Sequence, residues 1–330
     1  MPNIVLIGLR GHENICLDAI ARRDDAQLVA VWESDPAALD RARQRPGVTE
    51  ATLLTPNLDE ILARRDVQVA ILAEDNGSRA GHLIECFNRG WHVFAEKPLA
   101  ITSRDLDQVR AAHAAAGTRL SMLLTMRYEP IYRSLRAALA EGLIGAPLQL
   151  SAQKSYKLGQ RPAWQRDPAS YGATIPFIGI HPVDLLRYVT GCDYQRVSAL
   201  ARSAGLPGSE TMDESCALLL ETTEGLPTAI RLDFLRPAGA PTHGDDRIRV
   251  AGERGVLEVL GGRLSLLTPD APPQELPITA TAPNMFDEYL DELAGVGTHE
   301  LTAADCLRAT ELVLAAQQAA VEGRWVDCAP

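Results

Sequence analysis

The chain has 330 residues, of which 46% are hydrophobic, and a formal charge of −11 at neutral pH. This length and apolar content are enough for a sizeable core divided over two domains. The negative charge argues against nucleic acid as a partner, because phosphate binding needs a basic surface. No stretch reaches the roughly 18–20 apolar residues of a membrane helix, and the start MPNIVLIGL lacks the basic region and cleavage site of a signal peptide. We therefore expect a cytoplasmic protein that acts on a small molecule, away from membranes.

The six cysteines are spread along the chain without a C-x-x-C pair or a histidine at metal-ligand spacing. This pattern favours reduced thiols in the core over disulfides or zinc ligands. No metal site is expected.

The first 125 residues alternate short apolar, β-branched runs with helical patterns. The strand-like runs are NIVLIGL, AQLVAVW, VQVAILAE, WHVFAEK and RLSMLLTM. Strands that are apolar throughout and separated by helices are typical of a parallel sheet covered on both faces. We predict an α/β fold that starts with a doubly wound Rossmann domain over 1–125.

From residue 126 the pattern changes. A helix is predicted over about 130–141, and PLQLSAQKSYK alternates like a strand with one solvated face. SCALLLETTEGLPTAIRLDFL predicts a hairpin about Glu224 and Gly225, and RIRVAGERGVLEVLGGRLSLLT predicts further antiparallel strands. The interpretation is a second α/β domain over 126–330 with an open, mostly antiparallel sheet, whose last helices pack back on the first domain.

Glycines follow the first strand, at the sheet edge where a doubly wound fold binds its ligand. In GLRGHEN, Gly8 fits the first position of the fingerprint G-x-G-x-x-G, Arg10 stands at the second, and Gly11 follows. This partial match alone leaves an ordinary tight turn open. Glu33 ends the second strand, where a carboxylate can accept hydrogen bonds from the adenosine ribose and repel a 2′-phosphate. NAD is therefore expected in preference to NADP.

Several motifs resemble one family in their order and spacing. GWHVFAEKPLAIT, TMRYEPIYRSLRAALAEGLIG, GIHPVDLLRYVTG and RVAGERGVLEV are similar to segments of the glucose-fructose oxidoreductase, inositol dehydrogenase and MocA (Gfo/Idh/MocA) family, over essentially the whole chain. The resemblance implies an NAD(P)-dependent oxidoreductase that transfers a hydride between nicotinamide and a hydroxyl or carbonyl carbon of a sugar, polyol or related molecule. It also implies a homodimer or homotetramer.

The same resemblance implies roles for single residues. Lys97, which follows Glu96 and precedes Pro98, would lie beside the nicotinamide ribose and the reacting hydroxyl. His181 would be the catalytic histidine. Asn76 would lie near the cofactor.

The sequence around His181 predicts its place at the start of a helix. Pro182 disfavours a helical residue before it and suits the first helical position, so we predict a helix over 182–190 with His181 as its N-cap. A helix N-terminus disfavours an imidazolium, which would leave a neutral ring able to accept a proton from an alcohol. Asp184, in the first turn, would help to hold the site.

Phe177 stands where the family has an aspartate, four residues before His181, and Arg79 stands where it has a histidine. These departures leave three functions open: a dehydrogenase with an altered pocket, an NAD-recycling glycosidase, or a ligand-binding or regulatory relative without turnover. Retention of Lys97 and His181 favours the first. Other candidate substrate contacts are Arg127 and Asp184, then Lys154 and Tyr156, which share one strand face, and Trp164, Arg166 and Tyr171, the last in place of a usual glycine.

Overall fold

The computed structural model describes residues 1–328, which form two compact units. The first contains Met1–Leu123 and Pro283–Arg308, and the second contains Leu124–Ala282 and the residues from Ala309 on. Each unit is built on its own sheet. None of the helices found among the described residues combines the length and apolar character that crossing a membrane requires.

The first unit contains a six-stranded parallel sheet in the order β3-β2-β1-β4-β5-β6. Residues of its inner strands are buried on both faces, as their continuous apolar sequences predict. The predicted Rossmann domain is confirmed. Its elements are β1 (Asn3–Ile7), α1 (Asn14–Ala21), β2 (Gln27–Trp32), α2 (Pro36–Ala42), β3 (Leu53–Thr55), α3 (Leu58–Leu62), β4 (Val69–Leu72), α4 (Asn76–Asn88), β5 (His92–Ala95), α5 (Ser103–Ala116) and β6 (Leu120–Met122).

The register of this sheet aligns the ends of its central strands. Ile7 pairs with Trp32 and Leu72, and Leu72 pairs with Ala95. Because these strands are parallel, the residues that follow β1, β2, β4 and β5 meet at one edge of the sheet. That edge holds the predicted cofactor-binding residues.

The helix α9 (Met285–Leu293) also belongs to the first unit. Its Phe286 and Tyr289 rings contact Phe94 of β5 edge to face, with centroids 5.0 and 5.1 Å apart. Asn284 caps the helix by accepting hydrogen bonds from the next backbone N–H groups. These buried aromatic contacts stabilise the strand that leads to Glu96 and Lys97.

The second unit contains a nine-stranded sheet in the order β14-β13-β12-β11-β7-β10-β9-β8-β15. All of its strand pairs are antiparallel except β7 with β10, so the predicted mostly antiparallel sheet is confirmed. The predicted hairpin is β9 and β10, with Gly225 at φ 82° in its turn. The elements are α6 (Pro130–Ala140), β7 (Pro147–Lys157), α7 (Pro168–Tyr171), α8 (Ile180–Thr190), β8 (Tyr194–Arg202), β9 (Ser215–Thr222), β10 (Pro227–Arg236), β11 (Gly244–Gly252), β12 (Val256–Leu260), β13 (Arg263–Thr268), β14 (Ala271–Leu276) and β15 (Val326–Asp327). The helix α10 (Ala303–Glu322) begins in the first unit and continues into the second from Ala309.

The two faces of this second sheet differ in burial. Along β9 and β10, residues such as Leu218 and Leu232 are buried, while Leu219 and Leu235 on the opposite face are exposed. The helix α8 packs on β7, and a Cβ atom at Gly179 would lie 2.7 Å from the Leu232 side chain. The inner face therefore supports the start of α8 at short distance.

The prediction of His181 as an N-cap is wrong. A π-helical turn, Ile175–Gly179, runs directly into α8, which begins at Ile180, so His181 lies inside the helix. The wider π turn accommodates Pro182, because it moves the preceding carbonyls away from the proline ring. The N-terminal dipole therefore does not act at His181 as predicted.

Candidate functional site

The predicted site residues fall in both units, and the glycine turn of the first unit packs tightly. Gly8 has φ 89°, and a Cβ atom there would lie 2.4 Å from the backbone nitrogen of Glu74. A Cβ atom at Gly11 would lie 2.5 Å from the Glu96 side chain. Glycine is required at position 8, where the backbone after β4 approaches the turn, whereas a Cβ atom at position 11 would displace the Glu96 side chain.

Glu33 is buried at the end of β2 and accepts hydrogen bonds from four groups. Its Oε1 atom lies 3.0 Å from Arg10 Nη2 and accepts from Ser34 Oγ and Asp35 N, while Oε2 accepts from Leu9 N at 3.1 Å. Burial alone would raise the pKa of Glu33, but the hydrogen bond and charge of Arg10, with the other donors, lower it. Glu33 is therefore an ionised carboxylate paired with Arg10.

Glu13 occupies the third glycine position of the fingerprint, and it was not identified from the sequence. It is 1% exposed, accepts a hydrogen bond from Gly11 N at 3.0 Å and forms an ion pair with Arg45. Its position in the sequence could have identified it, because Glu13 lies five residues after Gly8, where the fingerprint has a glycine for close helix packing.

Glu96 joins the glycine turn to the turn after β5. Its Oε1 atom accepts from His12 N at 2.5 Å and lies 2.6 Å from His12 Nδ1, and Oε2 accepts from Lys97 N at 3.0 Å. Burial alone would raise the pKa of Glu96. The hydrogen bond and charge of His12, with the charges of Lys97 and Arg79, lower it to about 2.

Arg79 holds the turn that contains Lys97. Its buried guanidinium donates to Asn76 Oδ1 at 3.0 Å, Pro98 O at 2.8 Å and Glu74 O at 2.6 Å. Lys97 is buried and precedes Pro98 through a cis peptide bond. Asn76, the first residue of α4, therefore contacts the same arginine that fixes the Lys97 turn.

Acidic and basic side chains at this edge are matched. The backbone N–H groups of Leu9, Gly11 and His12 all donate to carboxylates. A nucleotide phosphate at these groups would have to replace the carboxylates, which repel it. Each of four buried carboxylates has a cationic neighbour: Glu13 with Arg45, Glu33 with Arg10, Glu74 with Arg79, and Glu96 with Lys97. Over residues 1–328, no group of three His, Cys, Asp or Glu side chains is arranged to hold a metal ion.

In the second unit, His181 and Asp184 lie on α8 and are buried. Asp184 Oδ2 accepts from Arg127 Nε at 2.7 Å and Oδ1 from Arg127 Nη2 at 2.5 Å. Arg127 also lies over the Tyr188 ring. Two predicted substrate contacts, Arg127 and Asp184, are thus bound to each other and hold α8 against the turn Thr125–Tyr128.

Three aromatic rings cluster before α8. Phe177 contacts Tyr171 at 5.0 Å and Trp164 at 6.0 Å between ring centroids, both edge to face. Tyr171 is buried and Trp164 and Phe177 are partly exposed, whereas Arg166 is exposed to solvent. The position of the family aspartate is therefore part of an apolar aromatic surface.

Lys154 and Tyr156 share the inner face of β7, as predicted. Lys154 Nζ lies 2.7 Å from Asp246 Oδ2 and 5.0 Å from the Tyr156 ring centroid. Burial alone would lower the pKa of Lys154, but Tyr156 and Asp246 raise it. Tyr156 stacks on Phe234 and His243, and burial raises its pKa. This face offers a charged pair and a neutral phenol.

The parallel sheet, the glycine turn and the carboxylate after β2 are typical of a dinucleotide-binding domain. Residues 2–124 match the family model described as "Oxidoreductase family, NAD-binding Rossmann fold", and residues 132–258 match the "GFO/IDH/MocA C-terminal domain". Together the two ranges span most of the chain, which therefore belongs to the Gfo/Idh/MocA family.

Individual relatives agree with this assignment. Inositol 2-dehydrogenase of Ralstonia nicotianae is 29% identical over 256 residues, which are 76% of this chain and 72% of the relative. The structure of a Thermotoga maritima protein, described as an oxidoreductase, superimposes with a TM-score of 0.92 at 27% identity, covering 99% of this chain and 100% of that one. Levoglucosan dehydrogenase in complex with NADH has a TM-score of 0.83 at 17% identity, with 99% and 98% covered, and shares the fold.

Proposed function

We propose that this chain is a dehydrogenase or reductase that acts on a CH–OH group of a sugar, polyol or related small molecule. The observation that carries the proposal is the buried turn of Glu96, Lys97 and Pro98 at the carboxyl end of β5. Buried ionisable groups at this edge of a Rossmann sheet are typical of catalysis. The inositol 2-dehydrogenase relative supports a polyol as substrate.

The glycine turn and Glu33 of the first unit are the proposed dinucleotide-binding site. Gly8 has no space for a Cβ atom, and Glu33 ends β2 where a ribose would lie. Bound NAD would accept or donate the hydride. The residues proposed to hold it are Gly8, Arg10, Gly11, Glu33, Asn76, Glu96, Lys97 and Pro98, and the Glu33 carboxylate favours NAD over NADP.

Lys97 and His181 are the proposed proton-handling groups. Oxidation of an alcohol releases a hydroxyl proton together with the hydride, so a positioned acid–base group is needed. Lys97 is held by Arg79 through Pro98 and by Glu96 through its own N–H group. His181 lies one turn before Asp184, which Arg127 fixes.

Trp164, Tyr171 and Phe177 are proposed to set the shape of the substrate pocket. An aromatic surface stacks on the C–H face of a sugar ring or on an apolar substituent. Without a carboxylate at position 177, this surface offers less polar recognition than the family aspartate would. Tyr156 supplies a hydroxyl to a substrate, and Arg127 and Asp184 act by holding α8.

The outer face of the second sheet is proposed to bind a second copy of the chain in a cytoplasmic homodimer or homotetramer. Its exposed leucines support this: Leu200, Leu219 and Leu235 are each about half exposed or more. Exposed apolar residues on one sheet face are typical of an interface.

The test is calorimetric titration of the purified protein with NADH and NADPH, followed by a screen of polyols and sugars for reduction of NAD. We expect micromolar NADH affinity, weaker NADPH binding and turnover of a polyol. Glu33→Ala should weaken NADH binding about tenfold and reduce the preference for NADH over NADPH, because it removes a hydrogen-bond acceptor for the ribose.

Two other outcomes would replace the dehydrogenase. The amide groups occupied by Glu13 and Glu96 favour a ligand-binding relative without turnover, which would bind neither nucleotide. An NAD-recycling glycosidase would release a sugar product without net reduction of NAD.

A further inference from the structure

We infer that Arg10 sets how strongly this chain discriminates NADPH from NADH, by moving its guanidinium between Glu33 and the 2′-phosphate. The inference rests on the proposed cofactor role of the first unit and goes beyond it. An unpaired Glu33 would exclude NADPH by repelling its 2′-phosphate. Because Glu33 is paired with Arg10, we expect the preference for NADH over NADPH to be weak.

Glu33 has no free acceptor capacity in this structure. A carboxylate offers about four lone-pair sites, and Glu33 accepts from Arg10 Nη2, Ser34 Oγ, Asp35 N and Leu9 N. Two of these donors are backbone groups fixed by the chain. A ribose hydroxyl can therefore bind Glu33 only when a side-chain donor moves away.

Arg10 and Ser34 are the two side-chain donors free to move, and Arg10 is the one that carries a charge. Its side chain is 27% exposed, compared with 2% for Glu33, and its other contacts are to Ser34 Oγ at 2.9 Å and Asp75 Oδ2 at 3.5 Å. It occupies the second fingerprint position, which in a standard dinucleotide site has no side chain. The NADH ribose therefore competes with Arg10 and Ser34 for Glu33, and weakening the ion pair with Arg10 costs affinity.

NADPH has the opposite relation to Arg10. NADPH carries its 2′-phosphate on the ribose carbon whose hydroxyl, in NADH, would donate a hydrogen bond to Glu33. That phosphate would be repelled by the negative charge of the carboxylate. The guanidinium stays charged and binds phosphate through two parallel N–H groups. Arg10 therefore compensates for Glu33 when NADPH binds and competes with the ribose when NADH binds.

Removal of Arg10 should change the two affinities in opposite directions. Glu33 becomes a free acceptor for the NADH ribose and an uncompensated charge against the 2′-phosphate. An effect on the pyrophosphate, common to both nucleotides, would leave their ratio unchanged.

The experiment measures dissociation constants of NADH and NADPH by calorimetry at one fixed ionic strength, for wild type, Arg10→Ala, Arg10→Lys and the control Arg43→Ala. Arg43 is exposed and 3.7 Å from Asp40, so its variant removes a charge elsewhere. In the wild type we expect the dissociation constants of NADH and NADPH to lie within about tenfold of each other. In Arg10→Ala the ratio of the NADPH constant to the NADH constant should rise about tenfold or more. Arg10→Lys should be intermediate, and Arg43→Ala should match wild type.

Three results would overturn the inference. The first is a wild-type preference for NADH over NADPH above about a hundredfold. The second is a ratio of NADPH to NADH dissociation constants that is the same in Arg10→Ala as in wild type. If Arg10→Ala fails to fold by circular dichroism, the third is a ratio in Arg10→Lys equal to that of wild type. A different result would contradict the proposed function itself. In that case the wild type would bind none of NADH, NADPH and the fragment 2′,5′-ADP, and both proposals would be wrong.

Discussion

Arg127 and Asp184 form a buried bidentate ion pair, with N–O distances of 2.7 and 2.5 Å, between the turn Thr125–Tyr128 and the helix that carries His181. Both had been expected to contact substrate. Their mutual pairing makes them positioning residues, because the orientation of α8 depends on them.

Arg127→Ala should lower the free energy of unfolding by about 3–5 kcal/mol, since it leaves Asp184 buried without this charged partner. Urea unfolding measures the effect. The control is Arg247→Ala, which breaks a solvent-exposed pair with Asp245 and should cost less than about 1 kcal/mol. Equal losses in the two variants would contradict the structural role.

Lys97→Ala should lower kcat at least about a hundredfold, because it removes a proposed proton-handling group, while the protein stays folded. The control is Lys157→Ala, whose ammonium group donates to a backbone carbonyl of the second unit. Steady-state kinetics with the substrate found in the screen gives the comparison. Wild-type rates in Lys97→Ala would remove Lys97 from the mechanism.

His181→Gln should likewise lower kcat at least about a hundredfold with little change in NADH affinity, since His181 is proposed to handle a substrate proton. His113→Gln, a substitution on α5 far along the chain from the motif, serves as the control. Loss of NADH binding in place of turnover would assign His181 to the cofactor.

Phe177→Asp should destabilise the protein by about 1–3 kcal/mol, because it sets a carboxylate against the rings of Trp164 and Tyr171. Thermal and urea unfolding measure this. Phe177→Leu keeps an apolar side chain and should cost less. If Phe177→Asp were fully stable and left the activity on every substrate unchanged, the aromatic surface would not be part of the substrate pocket.

Glu96 should make stability depend on pH between 4.5 and about 2. Its folded pKa of about 2 lies below the ordinary 4.5, so its contribution is complete above pH 4.5 and is lost as pH falls towards 2. The gap corresponds to about 3 kcal/mol. The difference in unfolding free energy between wild type and Glu96→Gln should shrink over this range. The control is the exposed Glu60→Gln, whose unfolding free energy at neutral pH should differ little from that of wild type. A constant difference for Glu96→Gln would contradict its assigned ion pairing.

Much of the fold was predictable because periodicity reports burial. The apolar runs of β1, β2, β4 and β5 predict buried parallel strands, and the alternation along β7 predicts a half-buried one. The short β3 and α3 were missed, since three and five residues carry too little periodicity. β8 and β14 were missed as well, and the six residues of β14 are exposed or partly exposed.

Motif positions give candidate site residues, but the pairings between those residues could not be predicted. Motif positions identify Arg10, Glu33 and Glu96, whereas their partners come from distant parts of the chain: Glu96 binds His12, and Arg79 binds Pro98. The predicted start of α8 was wrong for a local reason. The preferences of the residue before a proline hold for α-helical geometry, and here a π turn precedes the proline.

The position of β7 in the second sheet has a consequence for synthesis on the ribosome. Residues 147–157 hydrogen-bond to β10 and β11, which begin at Pro227 and Gly244. Until those segments emerge, β7 has neither neighbour, and both of its edges are open to pairing with other chains. Lys154 and Lys157 lie on this strand. Because charged side chains disfavour edge-to-edge pairing, these lysines should reduce aggregation of the nascent chain during that interval.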